Sequence, residues 1–364
     1  NNGLMKPAEF IDQPARAEAF LEALGRPEHL YMDTEFLRED TYRARLCLVQ
    51  ITDGRQVACL DTLALGIPKQ LAGLFADRNV KKVLHSARQD LEVLYQATGA
   101  VPVPVVDTQI AAGLLGYGDQ LGYAALTEAV LGRKVDKGHA RTDWSRRPLS
   151  AAQLAYAAED VEHLPDLLAA LSADLAGRGR TAWLEDECAA LADPSLYETD
   201  PAEAWQRVKG YVRLEAEALG RLARVAAWRE KFAMERDRPR RWILKDDALL
   251  ALAEGPDGLD ALPPAVRRRH AADLEALLAP PVAPAETPVV AARERLEPAE
   301  ERQLKQLAAV IRKAAERESI AAPLIAPRKE LERLVRGERD LAVLAGWRRE
   351  VAGNALLDAL FPAR

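Results

Sequence analysis

Residues 29–61 read HLYMDTEFLREDTYRARLCLVQITDGRQVACLD, and this stretch decides the fold class of the first half of the chain. Three apolar runs within it are separated by short polar loops, a pattern typical of strands. The runs are His29–Phe36, Arg45–Thr52 and Gln56–Asp61. Further strand patterns over Lys81–His85 and Val103–Asp107 alternate with helix patterns. Adjacent strands followed by strand–helix units predict a mixed sheet flanked by helices.

Helix patterns fill the gaps between the later strands. They cover Lys69–Ala76, Gln89–Thr98, Thr108–Leu115 and Tyr123–Leu131. After a polar loop over Gly132–Pro148, Ser150 and Gln153 form a capping-box pattern at the start of a long helix. We expect this helix to run to about Gly177, with a kink at Pro165.

The second half of the chain shows helix patterns only. Residues 222–253 and 307–335 share a succession of features: a helix ending near Glu-Arg, a loop, an apolar plug and an amphipathic helix. We interpret the two segments as a degenerate repeat. The predicted class is therefore α/β followed by all-α. The predicted domains are 1–195, 196–280 and 291–364, with a Pro-rich linker at 281–290, and Asn1–Leu4, which precede Met5, are interpreted as a cloning remnant.

Composition excludes several classes of protein. Of the 364 residues, 49% are hydrophobic and 29% are charged, which excludes a disordered or collagen-like chain. No apolar run approaches the roughly 20 residues of a membrane helix, so no membrane partner is expected. Cys47, Cys59 and Cys188 are widely spaced in apolar runs without a zinc pattern, as in reduced core residues of a cytoplasmic protein.

Charge is unevenly distributed along the chain, whose net charge is −6. Residues 1–195 carry 28 acidic and 20 basic side chains, whereas residues 196–364 carry 28 acidic and 30 basic ones. An acidic first half suits metal binding by clustered carboxylates, and local basic runs in the second half suit a polyanionic partner.

Asp33 and Glu35 lie two residues apart in the first predicted strand. Side chains alternate between the two faces of a strand, so both carboxylates project from the same face. Two carboxylates on an apolar strand are costly unless a cation neutralises them, and a divalent metal would do so. The alternative is that both lie at a strand end and are solvated.

Three further residues form the rest of a candidate site. Asp90 lies in the first turn of a predicted helix, where an acid can equally serve to complement the helix dipole. Tyr156 and Asp160 are one turn apart at the edge of the apolar stripe of the long helix. An acid and a phenol at that edge suit an active-site cleft, but a boundary tyrosine packed over its neighbour is an alternative.

Taken in order, three motifs resemble the DEDD superfamily of 3′–5′ exonucleases in its tyrosine subgroup, and within it the ribonuclease D family. They are DTEF at 33–36, HSARQDLEVLY at 85–95 and LAYAAEDVEHL at 154–164. The two helical repeats resemble HRDC domains, although the second lacks the Trp and the Arg-rich loop of the first. The resemblance covers the whole chain and implies a ribonuclease H-like sheet domain followed by two small HRDC-type bundles.

The resemblance also implies a reaction and its residues. Asp33, Glu35, Asp90 and Asp160 would hold two divalent ions, Mg²⁺ or Mn²⁺, and Tyr156 would orient the attacking water. The products would be nucleoside 5′-monophosphates cut from RNA 3′ ends, including those of tRNA precursors, with no obligate protein partner. His85 and Gln89 are candidate contacts to the scissile end, or else supports of the loop that contains them.

A candidate RNA-binding run lies at 228–245, WREKFAMERDRPRRWILK, which combines seven basic and three acidic residues with interleaved aromatics. Basic side chains neutralise phosphates and aromatic rings stack on bases. We expect Arg238, Arg240 and Arg241 to contact RNA and Trp242, which begins an apolar plug, to lie in the core. A DNA 3′–5′ exonuclease and a non-catalytic RNA-binding scaffold remain the alternative functions.

Overall fold

A computed structural model describes residues 8–136, 138, 142–260, 262–278 and 296–361. The interpreted remnant Asn1–Leu4 and the Pro-rich linker 281–290 lie outside these residues. The chain forms two compact units, each considered as far as its residues are described. The sheet unit comprises Asn1–Leu37, Leu46–Leu196 and Arg295–Arg364, and the helical unit comprises Arg38–Arg45 and Tyr197–Glu294.

The sheet unit contains a six-stranded mixed sheet, which confirms the predicted fold class of this half. Its strands are β1 (Glu9–Ile11), β2 (His29–Leu37), β3 (Arg45–Thr52), β4 (Val57–Asp61), β5 (Lys81–Leu84) and β6 (Val105–Asp107). Their order is β1-β4-β3-β2-β5-β6. β3 is antiparallel to β4, whereas β2, β5 and β6 run parallel to one another. β2 therefore lies inside the sheet, with a neighbour on each side.

Between Pro14 and Ala190, the described residues form nine α-helices beside the sheet. They are α1 (Pro14–Leu24), α2 (Thr62–Leu65), α3 (Lys69–Ala76), α4 (Arg88–Thr98), α5 (Thr108–Leu115), α6 (Tyr123–Leu131), α7 (Ala151–Glu162), α8 (Leu164–Gly177) and α9 (Thr181–Ala190). The sequence did not predict β1 or α1, and it predicted α7 and α8 as one kinked helix. That prediction was wrong, because α7 ends before His163 and Pro165 lies in the first turn of α8, where its missing N–H is tolerated.

The start of α7 follows the sequence prediction. The Ser150 side chain accepts a hydrogen bond from the Gln153 backbone N–H at 3.2 Å, and the Gln153 side chain accepts one from the Ser150 N–H at 2.7 Å. This capping box fixes the beginning of the helix that carries Tyr156 and Asp160.

The last described segment belongs to the sheet unit. It contains α14 (Pro298–Glu318), α15 (Ala322–Ile325), α16 (Arg328–Val335), α17 (Gly346–Arg348) and α18 (Asn354–Leu360). Leu307 and Val343 share one core cluster with Leu114 and Leu171 of α5 and α8. The ring of Trp347 stacks on that of Trp183, with centroids 4.6 Å apart. The C-terminal segment and the flank of the sheet therefore share one apolar core.

The helical unit has its own core, which includes Trp205, Leu222, Leu252 and Leu274. Its helices are α10 (Ala216–Arg236), α11 (Arg240–Ile243), α12 (Asp246–Glu254) and α13 (Pro264–Leu278). The succession α10–α11–α12 recurs as α14–α15–α16, and each long helix ends at a left-handed residue, Asp237 or Ser319. The repeat proposed from sequence therefore corresponds to a repeated succession of elements.

Two further features concern the cysteines and the length and hydrophobicity of the helices. Cys47, Cys59 and Cys188 are buried and are not joined in disulfides. Among the described helices, none combines the length and the apolar character needed to cross a bilayer.

Candidate active site

Three carboxylates meet where β2 and α7 pack together. Asp33 and Glu35 project from the same face of β2, and Asp160 comes from α7. One oxygen from each carboxylate lies within 4.8 Å of an oxygen from each of the others. All three side chains are half-buried. The period-two interpretation of the DTE motif is therefore matched by a three-carboxylate cluster.

Asp90 adjoins this cluster without joining it. It lies in the first turn of α4, is buried, and accepts a hydrogen bond from the hydroxyl of Thr34, the residue between Asp33 and Glu35. Its charge acts on Asp33. Of the four acids predicted from sequence, three thus lie together, and the fourth is tied to the strand that carries two of them.

The turn before α4 determines where Asp90 lies. Ser86 adopts a positive φ of 60°, an uncommon conformation for a residue other than glycine. The buried Asp107 carboxylate at the end of β6 accepts the backbone N–H groups of Ser86 at 2.9 Å and Ala87 at 2.8 Å. Sequence analysis missed Asp107. Its only sequence signal is an acid at the carboxyl end of a strand that neighbours β5.

The clustered acids favour their protonated forms. Burial, together with repulsion from Asp160 and Asp90, raises the pKa of Glu35 to about 9. Burial is also the main reason that the pKa values of Asp90 and Asp160 are each raised to about 7. Burial and the three neighbouring carboxylates raise the pKa of Asp33 well above its ordinary value. Such a group of like charges is stable in its ionised form only when a cation neutralises it.

Tyr156 lies beside the cluster with its hydroxyl protonated. The hydroxyl donates a hydrogen bond to Asp160, and burial raises the pKa of the phenol above its ordinary value. The ring packs 6.2 Å from that of the buried Trp144. The phenol is therefore held as a hydrogen-bond donor at the edge of the carboxylate cluster.

Arg147 connects Trp144 to the end of β4. The Arg147 guanidinium donates to the Trp144 carbonyl at 2.7 Å and forms a salt bridge of 2.7 Å with Asp61. These contacts were not predicted from the sequence, because Trp144 and Arg147 lie in a loop that has no periodic pattern. The contacts depend on the packing of this loop against β4 and α7.

The remaining predicted site residues of the sheet unit differ in accessibility. His85 has both ring nitrogens within 3.0 Å of protein oxygens, those of the Thr108 hydroxyl and the Leu121 carbonyl. Burial also lowers the pKa of His85, and its two contacts tie it to the first residue of α5 and to the segment before α6. Gln89 is exposed on α4.

The predicted RNA contacts lie in the helical unit. Arg238 and Arg241 are exposed, and the Arg240 guanidinium is 3.5 Å from the buried Glu230 carboxylate. The prediction that Trp242 lies in the core is wrong, because its side chain is 62% exposed. Leu244, which directly follows α11, is the residue that is buried instead.

The donor set fits a hard divalent cation. It consists of carboxylate oxygens. Among the described residues, no cysteine or histidine belongs to the cluster. Oxygen ligands of this kind suit Mg²⁺ and Mn²⁺, whereas zinc prefers nitrogen and sulfur.

Comparisons with known proteins show which family this chain resembles. Residues 8–176 match a family described as "3'-5' exonuclease", and residues 218–262 match the HRDC domain. A ribonuclease D from Nitrobacter hamburgensis is 41% identical over 361 residues, which cover 96% of this chain and 94% of the relative. A ribonuclease D from Jannaschia is 42% identical, covering 94% of this chain and 92% of the relative.

A solved structure of a ribonuclease D is also similar to this chain. The crystal structure of Escherichia coli RNase D, described as an exoribonuclease involved in structured RNA processing, superposes with a TM-score of 0.87 at 28% identity. The match covers 98% of this chain and all of that one.

We predict that pH and divalent cation act together on stability. The folded-state pKa values of the clustered acids exceed those of an unfolded chain, so the protonated cluster is stabilising at low pH. In metal-free protein, the melting temperature should fall as the pH rises through about 7, where Asp90 and Asp160 ionise, and on toward about 9 for Glu35. Mg²⁺ should reduce this fall, because it neutralises the ionised cluster.

The measurement is thermal unfolding followed by circular dichroism at several pH values, with and without MgCl₂. NaCl at matched ionic strength is the control for general screening. The same melting curve with MgCl₂ and with NaCl at every pH would contradict the assignment of a cation site.

Proposed function

The chain belongs to the ribonuclease D family of 3′–5′ exoribonucleases, and from this we propose that it removes nucleotides one at a time from the 3′ ends of structured RNA, tRNA precursors among them. The observation that carries the proposal is the cluster of Asp33, Glu35 and Asp160 with the Tyr156 hydroxyl beside it. Structured RNA is the substrate class named for the Escherichia coli relative.

Exonucleases of this family depend on divalent metal, and this chain has an acidic cluster that would bind it. We propose that Asp33, Glu35, Asp90 and Asp160 hold two ions, Mg²⁺ or Mn²⁺. When bound, such ions supply a nucleophilic water at neutral pH and stabilise charge on the leaving oxygen. Asp90 would join the site from its position next to Thr34, where its carboxylate is already hydrogen-bonded.

The chain's own residues would orient the reactants. The Tyr156 hydroxyl, which donates to Asp160, would position the attacking water by accepting a hydrogen bond from it. Attack forms a bond between the water oxygen and the terminal phosphorus and breaks the bond to the 3′ oxygen of the preceding nucleotide. The products are a nucleoside 5′-monophosphate and an RNA that is one nucleotide shorter, with a free 3′ hydroxyl.

Substrate affinity is proposed to come from the helical half. Arg238, Arg240 and Arg241 lie in the segment that matches the HRDC domain and would contact phosphates. The elements α14–α16 repeat the succession of α10–α12, which supports a second, divergent HRDC-type segment.

The direct test is hydrolysis of a tRNA precursor labelled at its 5′ end, compared with DNA of matched sequence. We expect a ladder of products shortened from the 3′ end, released nucleoside 5′-monophosphate, no reaction in EDTA, and faster hydrolysis of RNA than of DNA. Asp33→Asn should abolish turnover, because it removes one ligand charge without a change of volume, whereas Asp174→Asn on the exposed face of α8 should leave turnover unchanged. Internal cleavage, or full activity in EDTA, would contradict the proposal.

Tyr156→Phe should separate catalysis from metal binding. The substitution removes only the hydroxyl, so turnover should fall by about 10²–10⁴-fold, as for loss of a proton-transfer or positioning group. Mn²⁺ binding measured by calorimetry should stay near that of the wild type, since the carboxylates are intact. A variant that loses Mn²⁺ along with activity would show that Tyr156 supports the fold of the site rather than the reaction.

A further inference from the structure

The helical unit presents one large exposed aromatic side chain, Trp242. Its side chain is 62% exposed, although burying a tryptophan is among the largest apolar gains available to a protein. The other exposed large hydrophobic residues among those described are Val212 and Phe361. Phe232 and Ile243 line the same hollow as Trp242, and apolar residues grouped at the surface mark contact surfaces.

Hydrogen bonds fix the backbone at and after Trp242. Its backbone N–H donates to the Pro239 carbonyl at 2.8 Å, which closes the single turn of α11. Two residues later Leu244 enters the core, and its carbonyl accepts from the buried Arg229 guanidinium at 3.0 Å. The Arg238 guanidinium lies 5.9 Å from the centre of the tryptophan ring. A ring on a fixed backbone brings less freedom to be lost when a ligand stacks on it than a ring on a mobile loop.

Trp242 borders two hollows of the same unit. The first has a volume of about 520 Å³ and the second about 680 Å³. The cations that line the first are Arg38, Arg207, Lys209, Arg229, Arg240 and Arg241. The second is lined by Arg236, Arg238 and Arg269, with Phe232 and Ile243 as its apolar part. Both volumes lie within the range that accommodates a nucleotide-sized ligand.

The positive charge of these hollows is only partly neutralised. In the first, Asp246 pairs with Arg229 at 2.7 Å, and the buried Glu230 lies 3.5 Å from both Arg207 and Arg240. Glu39 is the other acid of the lining. No acid is among the described residues that line the second hollow. Cations thus remain in excess on both sides of the tryptophan.

The combination of an exposed ring and flanking arginines selects a type of ligand. Arginine binds phosphate oxygens through a fork of N–H donors, and an aromatic ring stacks on a base that is free of its partner. Bases inside a duplex are already stacked and paired, so their faces are not available. The surface therefore suits an unpaired polynucleotide strand.

We propose that Trp242 stacks on an unpaired base of the RNA substrate while arginines of the two hollows bind the flanking phosphates. This inference rests on the proposed function, because it identifies the part of that RNA which the helical unit recognises. It makes the helical unit a reader of single-stranded segments with little base preference, since every base has a face on which to stack.

The test measures binding separately from hydrolysis. Fluorescence anisotropy in EDTA measures binding of the full chain to a labelled, unstructured RNA of about 12 nucleotides. The same measurement is made with a blunt duplex of the same sequence. Trp242→Ala should weaken single-strand binding by about tenfold, as expected for loss of one base–aromatic stack. Trp242→Phe should retain most of the affinity, and duplex binding should change little in either variant.

Phe361→Ala is the matched control. Phe361 is 63% exposed and has the Arg339 guanidinium 5.4 Å from its ring, but it belongs to the sheet unit. Its loss should leave RNA binding unchanged. Because Trp242 is exposed, its replacement should also leave the melting temperature unchanged, which excludes misfolding as the cause of weaker binding.

Two results would overturn the proposal: wild-type affinity of Trp242→Ala for the single strand, or an equal loss on single strand and duplex. Failure of the proposed function would look different. In that case the wild type would bind the single strand through Trp242 but would not shorten it when Mg²⁺ is supplied.

Discussion

Mutual repulsion among half-buried carboxylates is the constraint on which the rest of the sheet unit depends. Asp33, Glu35 and Asp160 lie within 4.8 Å of one another, and Asp90 adds a fourth charge nearby. Such a cluster persists only if rigid elements hold it. β2 lies between two neighbouring strands, and a capping box fixes the start of α7. The fold therefore maintains an arrangement that is unfavourable by itself and becomes favourable when a cation binds.

Local periodicity was enough to predict the parts of the site that lie on one element. Asp33 and Glu35 share a face because strands alternate, and Tyr156 and Asp160 are neighbours because a helix turns once in about four residues. Contacts between distant segments were not predictable in this way. Asp107 holds the turn before Asp90 from another strand, and Trp144 packs on Tyr156 from an irregular loop. The exposure of Trp242 was not predictable either, because it depends on Leu244, directly after α11, being the residue that enters the core.

The C-terminal segment shows how sequence similarity and packing can divide a chain differently. Its elements repeat the succession found in the helical unit, yet its apolar residues share a core with α5 and α8. Trp347 stacks on Trp183, and the Arg348 guanidinium pairs with Glu187. Removal of this segment would expose apolar surface of the sheet unit. Its packing gives it a structural role in the sheet unit in addition to any contact with RNA.

The central claim is that the fold brings these carboxylates together to bind divalent cations. Anomalous diffraction from crystals soaked in Mn²⁺ tests it most directly, because it locates the metal independently of activity. We predict anomalous peaks at ordinary metal–oxygen distances of about 2.1 Å from carboxylate oxygens of Asp33, Glu35 and Asp160, and their disappearance in Asp33→Asn crystals. Mn²⁺ bound elsewhere with this cluster empty, or peaks unchanged in the variant, would contradict the account.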